Sequence, residues 1–299
     1  LQLGDDSSDD FIKTLQLYTK VEKIQTNNYN VLSNKLKSYS CVIIGFHKSN
    51  KNPWKPYNFS KDEIDLLHKI SIENKVILTV FANPYSLNQI KSFTNIEGLL
   101  IAYQNSKISQ QVAAQIIFGA IPSKGKLPVS ISNSNFKVGH GISTSSLSRI
   151  GYSVPESVGI CSKKLNKLDS ITKLAIDKKM TPGVQLLIAR KGKVIYNKSF
   201  GYHTYKKNKK VNSNNLYDVA SMTKILATIP LLMELVESGI VSLDDDLGSL
   251  LPDYKNSNKS SITLKEMLSH FGQLKPWIPF YLTTIDSITK QPKKEFFRS

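Results

Sequence analysis

Apolar positions along the first 130 or so residues fall into two alternating patterns. From Phe11 to Thr26, the residues Phe11, Ile12, Leu15, Leu17, Tyr18, Val21 and Ile24 recur near helical spacing behind an acidic Ser/Asp entry, which predicts a capped helix. Cys41-Val42-Ile43-Ile44-Gly45-Phe46 is instead a short unbroken apolar run, the signature of a strand buried on both faces. The alternation continues with a helix over Ser60–Ile72, where Ser60 caps and Glu63 stands three residues on, and a strand over Val76–Phe81. Leu99–Ala102 predicts a third strand, Ser109–Phe118 a third helix and Leu127–Ile131 a further strand. Strands and helices alternating at this spacing imply a mostly parallel sheet with helices on both faces. Ligands of such sheets sit at the carboxyl ends of strands, here near His47 or Asn83-Pro84.

Around residues 133–157 the pattern dissolves into Ser, Gly and Asn, with Ser143-Thr144-Ser145-Ser146 at its middle, and this stretch reads as a linker. Beyond it Lys163–Lys179 predicts a helix, Gly183–Arg190 and Lys193–Gly201 two strands turning at Lys191-Gly192, and Ser221–Glu237 a long apolar helix stopped by Gly239. The expected organisation is a domain over residues 1–132, a linker over 133–157 and an α+β-like domain over 158–299. A chain of 299 residues suits two such cores.

The formal charge of +17 invites a nucleic-acid or membrane-surface reading. Its distribution argues against both. Only Arg149, Arg190 and Arg298 are arginines, and the densest basic run, Lys206 to Lys210, falls in an expected hairpin tip, so no nucleic-acid partner is expected. Cys41 and Cys161 give neither a metal spacing nor a framework of bridges, and no metal or cofactor is expected. No window approaches the roughly 20 apolar residues of a membrane span, and residues 1–10 lack the charged start and apolar core of a signal peptide.

Acidic residues of the first half, among them Asp62, Glu63, Asp65 and Glu73, lie on one expected helix face and read as solvated charges. His47 reads either as a surface-loop histidine or as a contact to a ligand or neighbouring domain. Phe81-Ala82-Asn83-Pro84-Tyr85, Leu100-Ile101-Ala102-Tyr103-Gln104-Asn105 and above all the run Ile117 to Val129 (IFGAIPSKGKLPV) resemble the C-terminal α/β sandwich domain of glycoside hydrolase family 3. The resemblance implies a glycosidase parent, most like the β-N-acetylglucosaminidase branch, whose carboxylate nucleophile, paired with a second carboxylate or a His/Asp pair as acid/base, lies on an N-terminal barrel, so no glycosidase chemistry is expected from this stretch itself.

Ser-x-x-Lys occurs five times: Ser123/Lys126, Ser134/Lys137, Ser170/Lys173, Ser221/Lys224 and Ser287/Lys290. Only Ser221 stands at the start of a long apolar helix, directly after the strand-like Tyr217-Asp218-Val219-Ala220. Residues i and i+3 share a helix side, so Lys224 can reach the Ser221 hydroxyl, which needs a neighbouring base to become a nucleophile. Burial and the positive helix end would both favour a neutral lysine, and the helix start offers backbone donors to an oxyanion. The plain alternative is a capping serine beside a snorkelling lysine.

Pro182-Gly183-Val184-Gln185, Gly192-Lys193-Val194, Phe200-Gly201-Tyr202, Tyr217 to Lys224 (YDVASMTK), Glu237 to Asp245 with Leu251-Pro252, and Ile262 to His270 follow in order. Together they resemble the start of the class C β-lactamase and penicillin-binding, serine esterase family. That resemblance makes Ser221 the nucleophile and Lys224 its base, and makes the second half the N-terminal part of an incomplete α+β serine β-lactamase-like domain. Two departures stand out: Pro230 inside the nucleophile helix, and Phe271-Gly272-Gln273 where the family has a Thr-Ser-Gly turn. The family completes its site with a Tyr-x-Asn motif and a Lys-Thr-Gly-like strand far downstream, expected to lie outside this stretch, so little turnover is expected from it alone.

The expected parent is a hydrolase pairing serine acyl-transfer chemistry with a glycoside hydrolase module. Its substrate would be a small molecule, peptide or glycan such as a peptidoglycan fragment, handled in the periplasm or outside the cell. A parent acting chiefly as a β-N-acetylglucosaminidase, and a non-catalytic cell-wall binding module, are the alternatives.

Overall fold

The computed structural model describes residues 1–24, 29–52, 54–132 and 134–296. Two compact units divide the chain, Leu1–Asn215 and Leu216–Ser299, so that residues 134–157 fall inside the first.

The first unit opens with a short strand that the sequence pattern does not announce, β1 (Gln2–Gly4), followed by helices α1 (Asp9–Leu15) and α2 (Tyr29–Leu36). The expected helix from Phe11 thus ends at Leu15, and the last residues of that expectation, Gln25 and Thr26, lie outside the described residues. Next come β2 (Val42–His47), α3 (Lys61–Glu73), β3 (Val76–Phe81), β4 (Ile96–Ile101) and α4 (Lys107–Ile117). The strands form one parallel sheet in the order β1-β2-β3-β4, with Leu3 beside Phe46 and Gly45 beside Thr79.

Side chains alternate across the pleat, and the alternation feeds two separate cores. Ile44, Phe46, Leu78 and Val80 enter one together with Leu32, Leu36, Leu67 and Ile70 from α2 and α3. Phe81, Ile43 and Leu100 pack in the other with Phe11 and Leu15 of α1 and Ala113 and Ala114 of α4.

Ser60 caps α3 as its sequence predicts: its side chain accepts from the Glu63 N–H at 3.2 Å, and Glu63 Oε2 accepts from the Ser60 N–H at 2.8 Å. Glu63 is not a free solvated charge, because its Oε1 also accepts from the Gly4 N–H at 2.6 Å and so ties β1 to α3. Glu73 accepts from the Ser33 hydroxyl at 2.9 Å.

Residues 127–131 do not form the expected strand. Leu127 donates to His140 O and Ile131 to Phe136 O, both at 2.8 Å, while Leu127 and Ile131 bury into the first core. Pro128 has no N–H to continue a ladder, so the apolar alternation survives as burial without strand pairing.

Part of the Ser- and Gly-rich stretch is held in place. Leu147 donates to Gly119 O at 2.8 Å, and Gln115 of α4 both accepts from the Tyr152 N–H (2.8 Å) and donates to Tyr152 O (3.1 Å). Gly151–Tyr152 is the short strand β5.

Two helices, α5 (Ser162–Leu165) and α6 (Lys167–Asp177), precede the antiparallel hairpin β6 (Gly183–Arg190) and β7 (Lys193–Gly201), and β5 runs parallel to β7. Lys191 and Gly192 turn the hairpin with φ of 51° and 70°, the left-handed pair that matches strand twist in a two-residue loop.

In the second unit, α7 (Ile229–Glu237) ends where Gly239, at φ 73°, lets the Ile240 N–H reach Leu235 O (3.0 Å) and its own N–H reach Val236 O (3.1 Å). Asp246 caps α8 (Leu247–Leu250), and a Thr263/Glu266 capping box starts α9 (Leu264–Leu268). An isolated bridge joins Asp246 to Thr263.

Candidate active site

The segment around Ser221 is built from three kinds of helical turn. Ala220–Met222 is a 3₁₀ turn, Lys224–Thr228 a π turn in which the Ile229 N–H reaches back five residues to Lys224 O, and only from Ile229 does the α-helix begin. The continuous helix expected over Ser221–Glu237 is therefore interrupted at its start. Pro230 supplies a reason. It has no N–H for Leu226 O four residues back, and its ring would crowd that carbonyl, so the backbone before it widens.

Ser221 and Lys224 are brought together, with Nζ 3.1 Å from Oγ. Among the described residues this is the sole Ser-x-x-Lys copy in which the two side chains hydrogen-bond. The Lys126 ammonium instead donates to Gly141 O, and the Ser134 hydroxyl to Ile131 O.

Spacing alone did not reveal the residues that set this geometry. Asp218 Oδ1 accepts from the Ala220 N–H at 2.7 Å, and Val219 O accepts from the Met222 N–H at 2.9 Å. Ala220, immediately before the serine, holds φ of 42°, a left-handed conformation that a residue with a Cβ adopts only when its surroundings enforce it. The signal available in the sequence was an Asp two residues before a small residue, the pattern of an Asx turn.

The expected burial is not observed. Ser221 and Lys224 are exposed, as are Ile225, Leu226, Leu231 and Met233, and α7 has no buried residue. The apolar face read from the sequence is present, but nothing among the described residues of this unit covers it. The desolvation argument for a neutral lysine is thus not met here, and the tight Ser221–Lys224 pairing is what stands.

His47, the other candidate, is fully buried at the end of β2 and is no surface-loop residue. Among the described residues no group of three or more His, Cys, Asp or Glu side chains lies together as a metal site, and no helix is long and apolar enough to cross a membrane. Cys41 and Cys161 are both exposed free thiols.

Residues 169–291 match the protein family described as Beta-lactamase. "Protein flp" of Staphylococcus aureus (strain MRSA252) is 31% identical over 128 residues, which are 42% of this chain and 25% of that protein. The strain N315 protein of the same name is 30% identical over the same shares. A "Putative D-alanyl-D-alanine carboxypeptidase" of Salmonella agona (strain SL483) is 30% identical over 121 residues, 38% of this chain and 28% of its own length. The chain spans about a quarter of the length of these relatives.

Proposed function

We propose that the β-lactamase-like region carries the nucleophile and base of a serine acyl-transfer site, with Ser221 as nucleophile and Lys224 as base. The observation that carries this reading is the 3.1 Å Lys224–Ser221 contact at a strained turn inside the family-matched region. In the reaction Lys224 Nζ takes the Ser221 hydroxyl proton while Oγ bonds to the substrate carbonyl carbon. The tetrahedral intermediate collapses with cleavage of the bond to the leaving group, which takes the proton back from Lys224. Water, activated by the same amine, then hydrolyses the acyl-serine ester.

The carboxypeptidase relative points to a peptide ending in D-alanyl-D-alanine as the substrate class, and so to cell-wall material and a location in the periplasm or outside the cell. Labelling of the intact protein with a fluorescent penicillin, followed by peptide mapping, tests the assignment. An adduct on Ser221 that disappears in Ser221→Ala is expected, and an intact protein with no adduct there would overturn it. Cell fractionation tests the location.

A second reading concerns residues 1–132, which we propose as the C-terminal α/β domain of a glycoside hydrolase family 3 module, joined through 133–157 to the serine hydrolase region at 158–299. The run Ile117 to Val129 favours it, and the parallel order β1-β2-β3-β4 is compatible with it. Release of nitrophenol from an N-acetylglucosaminide by the full-length protein, unaffected by Ser221→Ala, is the expected result. A protein with neither activity would instead be a binding module.

A further inference from the structure

Shortly before Ser221, the chain is fastened to the β6–β7 hairpin. Val211 is buried and donates its N–H to Gly201 O at 3.1 Å. Its side chain lies over Gly183, where an added Cβ would come within 2.6 Å of Val211 Cγ2. Residues Asn212 to Asn215 then close a turn on themselves. The Asn215 N–H reaches Asn212 O at 3.2 Å, Asn215 Oδ1 accepts from the Asn212 N–H at 2.7 Å, and Asn212 Oδ1 accepts from the Asn214 N–H at 2.9 Å.

Gln185, half-buried in β6, ties this turn to the hairpin. Its Nε2 carries two hydrogens, and they go to two main-chain oxygens, Asn212 O and, at 3.1 Å, Asn215 O. Neither carbonyl can swing away without breaking a bond, so one side-chain amide fixes both ends of the turn. Beyond it only Leu216 and Tyr217, both exposed, precede the next fixed point, the Asp218–Ala220 hydrogen bond that bends the backbone in front of Ser221. The region matched to the Beta-lactamase family, residues 169–291, takes in both β6 and Ser221.

We propose that Gln185 is a positioning residue for acyl transfer: by holding Asn212 O and Asn215 O it fixes the root of the segment that presents Ser221, acting through the backbone and not on the substrate. The role rests on Ser221 being the nucleophile. An attacking atom displaced by about 1 Å can lose about 100-fold in rate, and a tether of two residues passes slack at Asn215 into the nucleophile turn.

Gln185→Met keeps the length of the side chain and loses both donors, whereas Asn215→Ala removes only the Oδ1 acceptor of the same turn. Stopped-flow labelling of the full-length protein over a series of fluorescent penicillin concentrations separates the acylation rate constant from the affinity of the complex that precedes it. Gln185→Met is expected to lower the rate constant by about tenfold and Asn215→Ala by about threefold, with affinities within about twofold of wild type. A residue that served stability alone would change the fraction of molecules that label and leave the rate constant of the folded fraction as it was. A Gln185→Met rate constant within about twofold of wild type would overturn the proposal, and if that variant does not fold the same criterion applies to Asn215→Ala. A wild type with no adduct on Ser221 overturns the nucleophile assignment and this role with it, while labelling at unchanged rates overturns the role of Gln185 alone.

Discussion

At Ser221 the hydroxyl faces Lys224 Nζ at 3.1 Å, and the backbone that presents it is bent at Ala220 and held by Asp218. Loss of a general base lowers a rate by about 10²–10⁴. Lys224→Ala should therefore slow penicillin acylation of the intact protein by about that factor, measured by stopped-flow labelling, while Ser221→Ala abolishes it. Asp218→Ala removes the acceptor for the Ala220 N–H. It is expected to slow acylation by about tenfold, on the scale of one charge-assisted hydrogen bond.

His47 belongs to the same scale. Burial is the main cause of its low value of about 4, outweighing the raising effects of the Asn105 hydrogen bond and of Asp6, while Lys23 and the α-amino group lower it further. The folded value lies below the ordinary 6.5, so the contribution to stability is fully present above pH 6.5. It is lost as pH falls towards 4, because the unfolded chain takes up the proton first. The full span amounts to about 3 kcal/mol. Urea midpoints at pH 7 and pH 4 should differ accordingly in the wild type and less in His47→Phe.

Elements show where local rules compete. The hairpin turn was legible because Lys191-Gly192 between two apolar runs leaves few alternatives, and Gly192 at φ 70° should tolerate Val poorly, at a cost of about 1–2 kcal/mol read from denaturant midpoints. The start of the nucleophile helix was less legible, since periodicity reports which face is apolar but not whether a turn closes after three, four or five residues. Pro230 was visible as an anomaly, and its consequence, the π turn at Lys224–Thr228, emerged only from the backbone. Pro230→Ala returns a donor to Leu226 O and should draw this stretch towards regular α-helix. The expected outcome is a slower Ser221 labelling rate with no loss of thermal stability, measured on the same preparation. Residues 127–131 teach the converse: their alternation did mark burial, yet Pro128 denied them a strand.

For the whole molecule, the charge of +17 is spread over lysines in both units, and a heparin column should release the protein at modest salt, as expected of a dispersed rather than clustered basic surface. The sequence by itself determined the alternation that makes the parallel sheet, the cap at Ser60, the hairpin, the helix stop at Gly239 and the identity of Ser221 and Lys224 as a pair worth testing. These follow from near-neighbour chemistry: side-chain periodicity, missing N–H groups, glycine's freedom and side chains three or four residues apart. Only the tertiary structure decided what depends on residues distant in the chain. It put Glu63 on Gly4 across 59 positions and buried His47 against Phe81 and Asn105. It also left the face around Ser221 exposed, because burial is a property of what packs over a side chain and not of the side chain's own hydrophobicity.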